Sequence, residues 1–158
     1  MKSTLMITAA ATLAGALAFA GAASAAQNAE CPADQMRADA RTTGEMTPSK
    51  VTDTELNALM LGGEIKGLDG RRLRLRKLVI QPGGVVPWHS HTDRPAIIFV
   101  QQGEIYEYAS NCAVPILHKE GDVRPEVKGT SHWWENKGTR TVILYVGDIL
   151  HDKSDHHM

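Results

Sequence analysis

From residue 70 onward, apolar and polar positions alternate with a period of two, which is typical of β-strands with one buried face. The first strand begins where Leu73 and Leu75 alternate with arginines, and it runs through residues 78–80 to a turn predicted at residues 82–84. Strands at intervals of about a dozen residues, with no long helical period between them, predict an all-β antiparallel sandwich or barrel. Turn residues separate further short strands at residues 96–100, 104–108, 114–118, 131–135 and 141–146.

The pattern before residue 70 differs from this alternation. Residues 27–48 contain few large apolar side chains and predict an extended or loosely docked arm. Asp53 is a candidate N-cap for a short helix that would end before Gly62 and Gly63. The region between the leader and the barrel is therefore predicted to hold an arm and a short helix.

The first 25 residues have the composition of a secretory leader. Met1 and Lys2 precede an apolar run over residues 5–23, and Ala23-Ser24-Ala25 form a small-x-small cleavage signal. The run approaches the length that spans a membrane, but alanine and glycine dominate it and the cleavage signal lies at its end. We therefore expect a secreted or periplasmic protein with no stable membrane anchor after cleavage. The predicted organisation is a signal peptide, an N-terminal arm with a short helix, a barrel and a His-rich polar tail, at residues 1–25, 26–69, 70–150 and 151–158.

Charge and cysteine content narrow the classes of partner and compartment. Seventeen Lys and Arg against eighteen Asp and Glu give a formal net charge of −1, which argues against a nucleic-acid partner. Export would place the two cysteines, Cys31 and Cys112, in an oxidising compartment where a disulfide can persist. The sequence leaves open whether they pair or remain free thiols.

The basic residues of the first barrel strand also have two readings. Since Leu73 and Leu75 alternate with them, we expect the leucines to face the core and the basic side chains to face solvent. The alternative is a site that attracts an anion. The residues concerned are Arg71, Arg72, Arg74, Arg76 and Lys77.

Three histidines stand where a metal site can form. His89 and His91 are two residues apart on a predicted strand, so their side chains share a face, with Cα atoms about 6.6 Å apart. This spacing lets both imidazoles bind one ion at about 2.1 Å. His132 lies on a later strand, and strand pairing could bring it to the same ion. A three-nitrogen set leaves coordination positions open for water or substrate.

Other residues near these histidines are candidate pocket residues. Trp134 shares the face of His132 by period two, and Asp93 and Arg94 follow the His-x-His pair. His118 ends an apolar strand, and we expect a surface or hydrogen-bonded histidine there rather than a fourth ligand.

The spacing of the histidines and glycines resembles the two motifs of the cupins. The match extends over about residues 73–146. The resemblance implies a small double-stranded β-helix barrel, related to jelly rolls, with a metal ion in its mouth, with His89, His91 and His132 as ligands, and with a homodimer as the assembly. The first motif is matched by Gly83, His89-Ser90-His91 and Gly103, and the second by Gly121, Gly129, His132 and Asn136.

The chain departs from the cupin motif at its carboxylate. The glutamate of the family falls at position 96, where this chain has Ala96. Asp93 and Glu126 are nearby candidates to replace it, although neither occupies the family position. Without a carboxylate the bound ion would keep its full +2 charge, which favours Lewis-acid action or anion binding over a neutralised redox centre.

Two classes of function follow from the sequence. One is a metal-dependent, dioxygenase-like enzyme acting on a small organic substrate, whose catalytic residues the sequence does not identify. The other is a non-catalytic periplasmic protein that binds a metal ion or a small ligand. Three histidines suit several divalent ions, namely Fe, Mn, Zn, Ni and Cu.

Overall fold

The computed structural model of the protein describes residues 29–151. The predicted leader and residues 152–158 of the tail lie outside this range. Within it the chain forms eight β-strands and one 3-10 helix, Ala33–Gln35, so the predicted all-β class is confirmed. No helix of this range is long and apolar enough to cross a membrane. The strands are β1 (Ser49–Met60), β2 (Arg71–Ser90), β3 (Ala96–Gln102), β4 (Glu104–Ala109), β5 (Ile116–Lys119), β6 (Val123–Glu126), β7 (Ser131–Glu135) and β8 (Val142–His151).

The long strand β2 joins the two halves of the barrel. Its first half, residues 71–80, pairs with β8, and its second half, residues 85–90, pairs with β7. The antiparallel sheet has the order β5-β4-β7-β2-β8-β3-β6, and β1 pairs with β2 outside this path. The reversal predicted at residues 82–84 is therefore wrong: the strand bends there and changes partner. Gly83 has a φ of 71°, which glycine adopts without steric cost.

The short helix predicted near Asp53 is also wrong, because these residues form β1. Three β-branched residues among positions 51–54 favour extended backbone. Pairing with β2 also brings the Asp53 carboxylate to Arg76 and that of Glu55 to Arg72, the latter pair at 2.7 Å. These cross-strand partners outweigh the local capping signal.

The two faces of β2 are inverted relative to the predicted arrangement. Leu73 and Leu75 are 41% and 44% exposed, whereas Arg76 is 3% exposed. The prediction that the basic side chains of this strand face solvent is wrong, because the inner face carries carboxylates that pair with them. Arg76 forms an ion pair with Asp53, and its Nε lies 3.6 Å from Asp148. A buried guanidinium is tolerated when it is paired in this way.

The N-terminal arm packs across the outside of β7 and β4. A disulfide joins Cys31 to Cys112, so the pairing that the sequence left open is present. At Gly44 a Cβ atom would lie 2.2 Å from the ring of Trp133, so only glycine fits there. The carbonyl of Glu45 then accepts a hydrogen bond from the backbone N–H of Trp88 at 2.7 Å. The arm therefore reaches the end of the barrel at which the His-x-His pair lies.

Candidate metal centre

Four buried side chains converge inside the barrel. His89 lies on β2 and His91 follows the last residue of that strand, and His132 lies on β7 directly opposite His89 in the strand register. Glu126, at the end of β6, is the fourth member. One potential ligand atom from each residue lies within 4.8 Å of all the others. We call these residues, His89, His91, Glu126 and His132, the four-residue centre.

The three histidines hold their rings through Nδ1 and direct each Nε2 into the centre. Nδ1 of His89 faces the carbonyl of Pro87 at 2.8 Å, and Nδ1 of His91 faces the carbonyl of Arg94 at 2.7 Å. Nδ1 of His132 faces a carboxylate at 2.7 Å. Since these partners only accept hydrogen bonds, each Nδ1 carries a proton, and each ring in its neutral form presents an Nε2 lone pair to the centre.

The distances within the centre fit a shared cation. His132 Nε2 lies 3.1 Å from His91 Nε2 and 3.2 Å from His89 Nε2. Glu126 places Oε2 2.8 Å from His91 Nε2 and Oε1 2.9 Å from His132 Nε2, yet Oε1 is buried without a hydrogen-bond partner. Adjacent octahedral ligands at about 2.1 Å from an ion are separated by about 3.0 Å, against roughly 3.4 Å for tetrahedral ones. The donor set therefore fits a divalent ion with neighbouring ligands near right angles.

The position of Glu126 accounts for the missing carboxylate of the motif. Ala96 on β3 pairs directly with Glu126 on β6. Paired residues on neighbouring strands present their side chains to the same face of the sheet, so the carboxylate has moved across one strand of the barrel. An ion held here would have an anionic ligand, and the expectation that it keeps its full +2 charge does not fit the structure.

The electrostatics of the centre combine burial with strong coupling. Burial raises the pKa of Glu126, but His132 and His91 outweigh it and hold that pKa well below its usual value. Burial lowers the pKa of His132, whereas the nearby carboxylates raise it, with a net value of about 9. The pKa of His89 is lowered by burial and by the neighbouring His132. Without an ion the centre thus holds a proton near Glu126, and ion binding would displace it.

Glu107, which supports His132, is not among the site residues predicted from the sequence. Glu107 lies on β4 and is fully buried, and its carboxylate contacts His132, His118 and Arg124. His118 is therefore a buried, hydrogen-bonded histidine outside the four-residue centre. The sequence did contain one indication of this position. Glu107 lies two residues from Ile105 on the same strand, so both side chains point to the buried face.

The three candidate pocket residues fall in different places. Trp134 is buried, with its Nε1 3.4 Å from His132 Nε2, so it lies against the centre. Arg94 is 2% exposed, and its backbone carbonyl orients His91. Asp93 is exposed and lies outside the centre, where it pairs with Arg71 at 2.7 Å and with His151 at 2.8 Å.

A surface cavity of about 410 Å³ leads to the centre at His89, the most exposed of its four residues at 9%. Met46 of the arm stands at the rim, and Arg94 lies on the wall. A small molecule approaching from this side would meet His89 first. The full lining is Met46, Trp88, His89, Ser90, Thr92, Asp93 and Arg94.

A comparison with protein families finds one match over the barrel. The family described as "Cupin domain" matches residues 76–147. This segment contains both motifs noted in the sequence and all members of the four-residue centre.

Two curated relatives and two solved structures are similar to parts of this chain. Auxin-binding proteins ABP19b and ABP19a of Prunus persica are each 31% identical over 85 residues, which cover 52% of this chain and 41% of each relative. The chain thus spans about two fifths of the length of the curated relatives it matches. A predicted oxalate decarboxylase from Thermotoga maritima is 22% identical, with a TM-score of 0.51 over 73% of this chain and 97% of its own. The Schizosaccharomyces pombe Cnp3 cupin domain is 15% identical, with a TM-score of 0.50 over 68% and 69%. The structural likenesses show the fold alone.

Proposed function

The chain belongs to the cupin family, and from this premise we propose that it binds one divalent metal ion in the four-residue centre and presents that ion to a small ligand. The observation that supports this is the position of Glu126. Its carboxylate lies 2.8 Å and 2.9 Å from two Nε2 atoms, in a pocket where three imidazole lone pairs face one another. Four acceptors packed this closely repel one another unless a proton or a cation lies between them.

We further propose that the reaction is of the oxygenase type, on a small organic molecule. Three neutral histidines and one carboxylate would leave a divalent ion with a net charge of +1. Near right-angled nitrogen and oxygen ligands with open positions suit Fe²⁺ or Mn²⁺, and such an ion would supply Lewis-acid and redox chemistry toward O₂ and a substrate.

The non-catalytic alternative, a protein that binds a metal ion or a small ligand, also has an observation in its favour. The four members of the centre are at most 9% exposed. Asp93, the carboxylate on the cavity wall, is held in ion pairs with Arg71 and His151 on the outside of the barrel. The matched relatives from Prunus persica are named as auxin-binding proteins, which is compatible with ligand binding without turnover.

Export is part of the proposal. The predicted leader at residues 1–25 supports it, and so does the disulfide between Cys31 and Cys112, since such bonds persist in oxidising compartments. N-terminal sequencing of protein recovered from the periplasm would show whether the chain begins at Ala26. The homodimer expected from the cupin resemblance stays a prediction, which light scattering would check.

The metal proposal is tested by titrating metal-free protein with Mn²⁺, Zn²⁺ and, without oxygen, Fe²⁺. We expect one equivalent to bind the wild type and none to bind His132→Ala at the same concentrations. His151→Ala is the matched control, because His151 is exposed and lies outside the centre. Equal binding by wild type and His132→Ala, or no binding by the wild type, would contradict the proposal.

Oxygen uptake then separates the two classes of function. Protein loaded with Fe²⁺ or Mn²⁺ is mixed with a panel of small carboxylic acids and neutral analogues, and dissolved O₂ is followed. The enzyme proposal predicts catalytic uptake with at least one compound of the panel and loss of that uptake in His132→Ala. Metal binding without turnover across the panel would favour the ligand-binding alternative.

A further inference from the structure

We propose that Glu107 is a positioning residue of the metal centre, which fixes the ring of His132 and strengthens that ligand relative to the other two histidines. The inference rests on the proposed metal function. It concerns a residue outside the four-residue centre, on a strand that contributes no member to the centre.

The three histidines differ in what holds their Nδ1 atoms. His89 and His91 donate to neutral backbone carbonyls, whereas His132 donates to the Glu107 carboxylate at 2.7 Å. Hydrogen bonds to a charged acceptor are roughly twice as strong as those between neutral groups. A carboxylate partner also raises the basicity of a metal-binding imidazole. His132 should therefore be the strongest of the three nitrogen ligands.

The surroundings of Glu107 hold its carboxylate in place. Its side chain has no solvent exposure, so an unpaired charge there would be costly. His118 Nε2 lies 2.9 Å from Oε2, and Arg124 Nε lies 3.2 Å from the same oxygen. The other oxygen faces His132. Glu107 thus accepts hydrogen bonds from both histidines and from Arg124 Nη2, which lies 3.5 Å from Oε1. The permanent charge of Arg124 keeps the carboxylate compensated.

His118 makes a shape-preserving test available. Its Nδ1 is buried without a hydrogen-bond partner, so its proton can move between the two ring nitrogens. In Glu107→Gln the amide oxygen can still accept from His132, while the amide nitrogen can donate to a His118 ring that carries its proton on Nδ1. This variant removes the charge and keeps the hydrogen bond to His132. Glu107→Ala removes both.

The experiment measures Co²⁺ affinity by competition and the visible absorption of bound Co²⁺, which reports ligand strength. We expect Glu107→Ala to bind about 10–100-fold more weakly than wild type, as for other lost partners of ligating histidines. Glu107→Gln should bind with intermediate affinity and a shifted spectrum, with unchanged near-ultraviolet circular dichroism. Glu104→Gln, an exposed change on the same strand, is the matched control and should match wild type in both readouts.

The outcomes separate this inference from the proposed function. If wild type binds Co²⁺ and folded Glu107→Gln has the same affinity and spectrum, Glu107 is only a structural residue and the inference is overturned while metal binding stands. If wild type binds no Co²⁺, the proposed function fails and the inference fails with it. Should Glu107→Ala not fold, the near-isosteric Glu107→Gln decides.

Discussion

Two buried carboxylates flank Ala96, and they meet opposite kinds of partner. In the strand register Ala96 pairs with Glu126 on one side and with Asp148 on the other. Glu126 is 3% exposed and Asp148 is 1% exposed. The burial and the charge type of the two side chains are therefore nearly equal, and the comparison isolates the effect of what surrounds them.

Asp148 is held by arginines. Arg74 donates two hydrogen bonds to it at 3.0 and 2.7 Å, and Arg76 Nε lies 3.6 Å away. Guanidinium groups do not lose their protons in proteins, so this cluster is a closed ion pair with no ligand to offer a metal. Glu126 faces histidines, which can give up a proton and bind an ion. A buried carboxylate thus becomes a candidate metal ligand only when its partners can deprotonate.

The largest effect on folding is expected from Asp148→Ala. The substitution leaves the buried Arg76 and the partly buried Arg74 without their shared partner, and breaking a buried ion pair from one side costs about 3–5 kcal/mol. Urea unfolding of the metal-free protein measures this loss. Metal stoichiometry of the folded variant should stay at that of wild type, and a loss of the ion in this variant would show that the two carboxylates act as one cluster.

The largest effect on the metal is expected from Glu126→Ala. The variant loses the anionic member of the centre, so the affinity should fall by more than the roughly 100-fold upper cost of losing an outer partner. Competition titration against a coloured chelator measures the change. Glu126→Gln is the companion variant, since it keeps the volume and removes the charge. An affinity equal to wild type in both variants would exclude Glu126 from the site.

Metal removal should lower the stability of the wild type but not that of a variant without Glu126. A ligand present at 100 times its Kd stabilises the folded state by about 2.7 kcal/mol, so chelation should lower the wild-type stability by that amount. Glu126→Ala should show little difference between chelated and metal-supplemented samples in a thermal scan. If chelation destabilises this variant as much as wild type, the ion is bound elsewhere.

Moving the carboxylate from position 126 to position 96 tests whether either residue of this register pair can supply the metal ligand. In the double variant Ala96→Glu/Glu126→Ala the carboxylate starts from the opposite member of the same register pair. We expect it to regain at least tenfold in affinity over Glu126→Ala, which is about 1.4 kcal/mol. Ala96→Gln/Glu126→Ala is the uncharged control. Equal affinities of the two double variants would show that position 96 cannot supply a ligand in this barrel.

The smallest effect on stability is expected at the partly exposed ion pair between Glu55 and Arg72. Glu55 pairs with Arg72 at 2.7 Å, but the two side chains are 43% and 22% exposed. Exposed ion pairs contribute up to about 1 kcal/mol, so Glu55→Gln should change urea stability by no more than that. A loss as large as that of Asp148→Ala would mean that burial does not set the strength of these pairs.

The part of the fold that follows local periodicity could be predicted from the sequence. The alternation after residue 70 indicated the all-β class, and the cupin spacing indicated the family. The inside and outside of β2 could not be assigned in this way, since alternation gives two faces without saying which is buried. Leu73 faces outward because Arg76 finds Asp53 and Asp148 inside, and those partners lie on two other strands.

The residues of the metal site also differ in whether the sequence alone could predict them. His89 and His91 share a face by local geometry alone, so their convergence could be predicted. Glu126 was only one of two candidates, because its approach depends on the pairing of β6 with β3. Glu107 reaches His132 through the pairing of β4 with β7, which joins residues 25 positions apart. Register between strands is a tertiary property, and a single sequence does not contain it in readable form.

The most direct test of the metal centre is elemental analysis of untagged protein purified without chelator, as wild type, as Glu126→Ala and with residues 152–158 deleted. We expect one equivalent of a single divalent metal in the wild type and in the tail deletion, and none in Glu126→Ala. A wild type without metal, or metal that disappears only with the tail, would contradict a metal centre in the barrel.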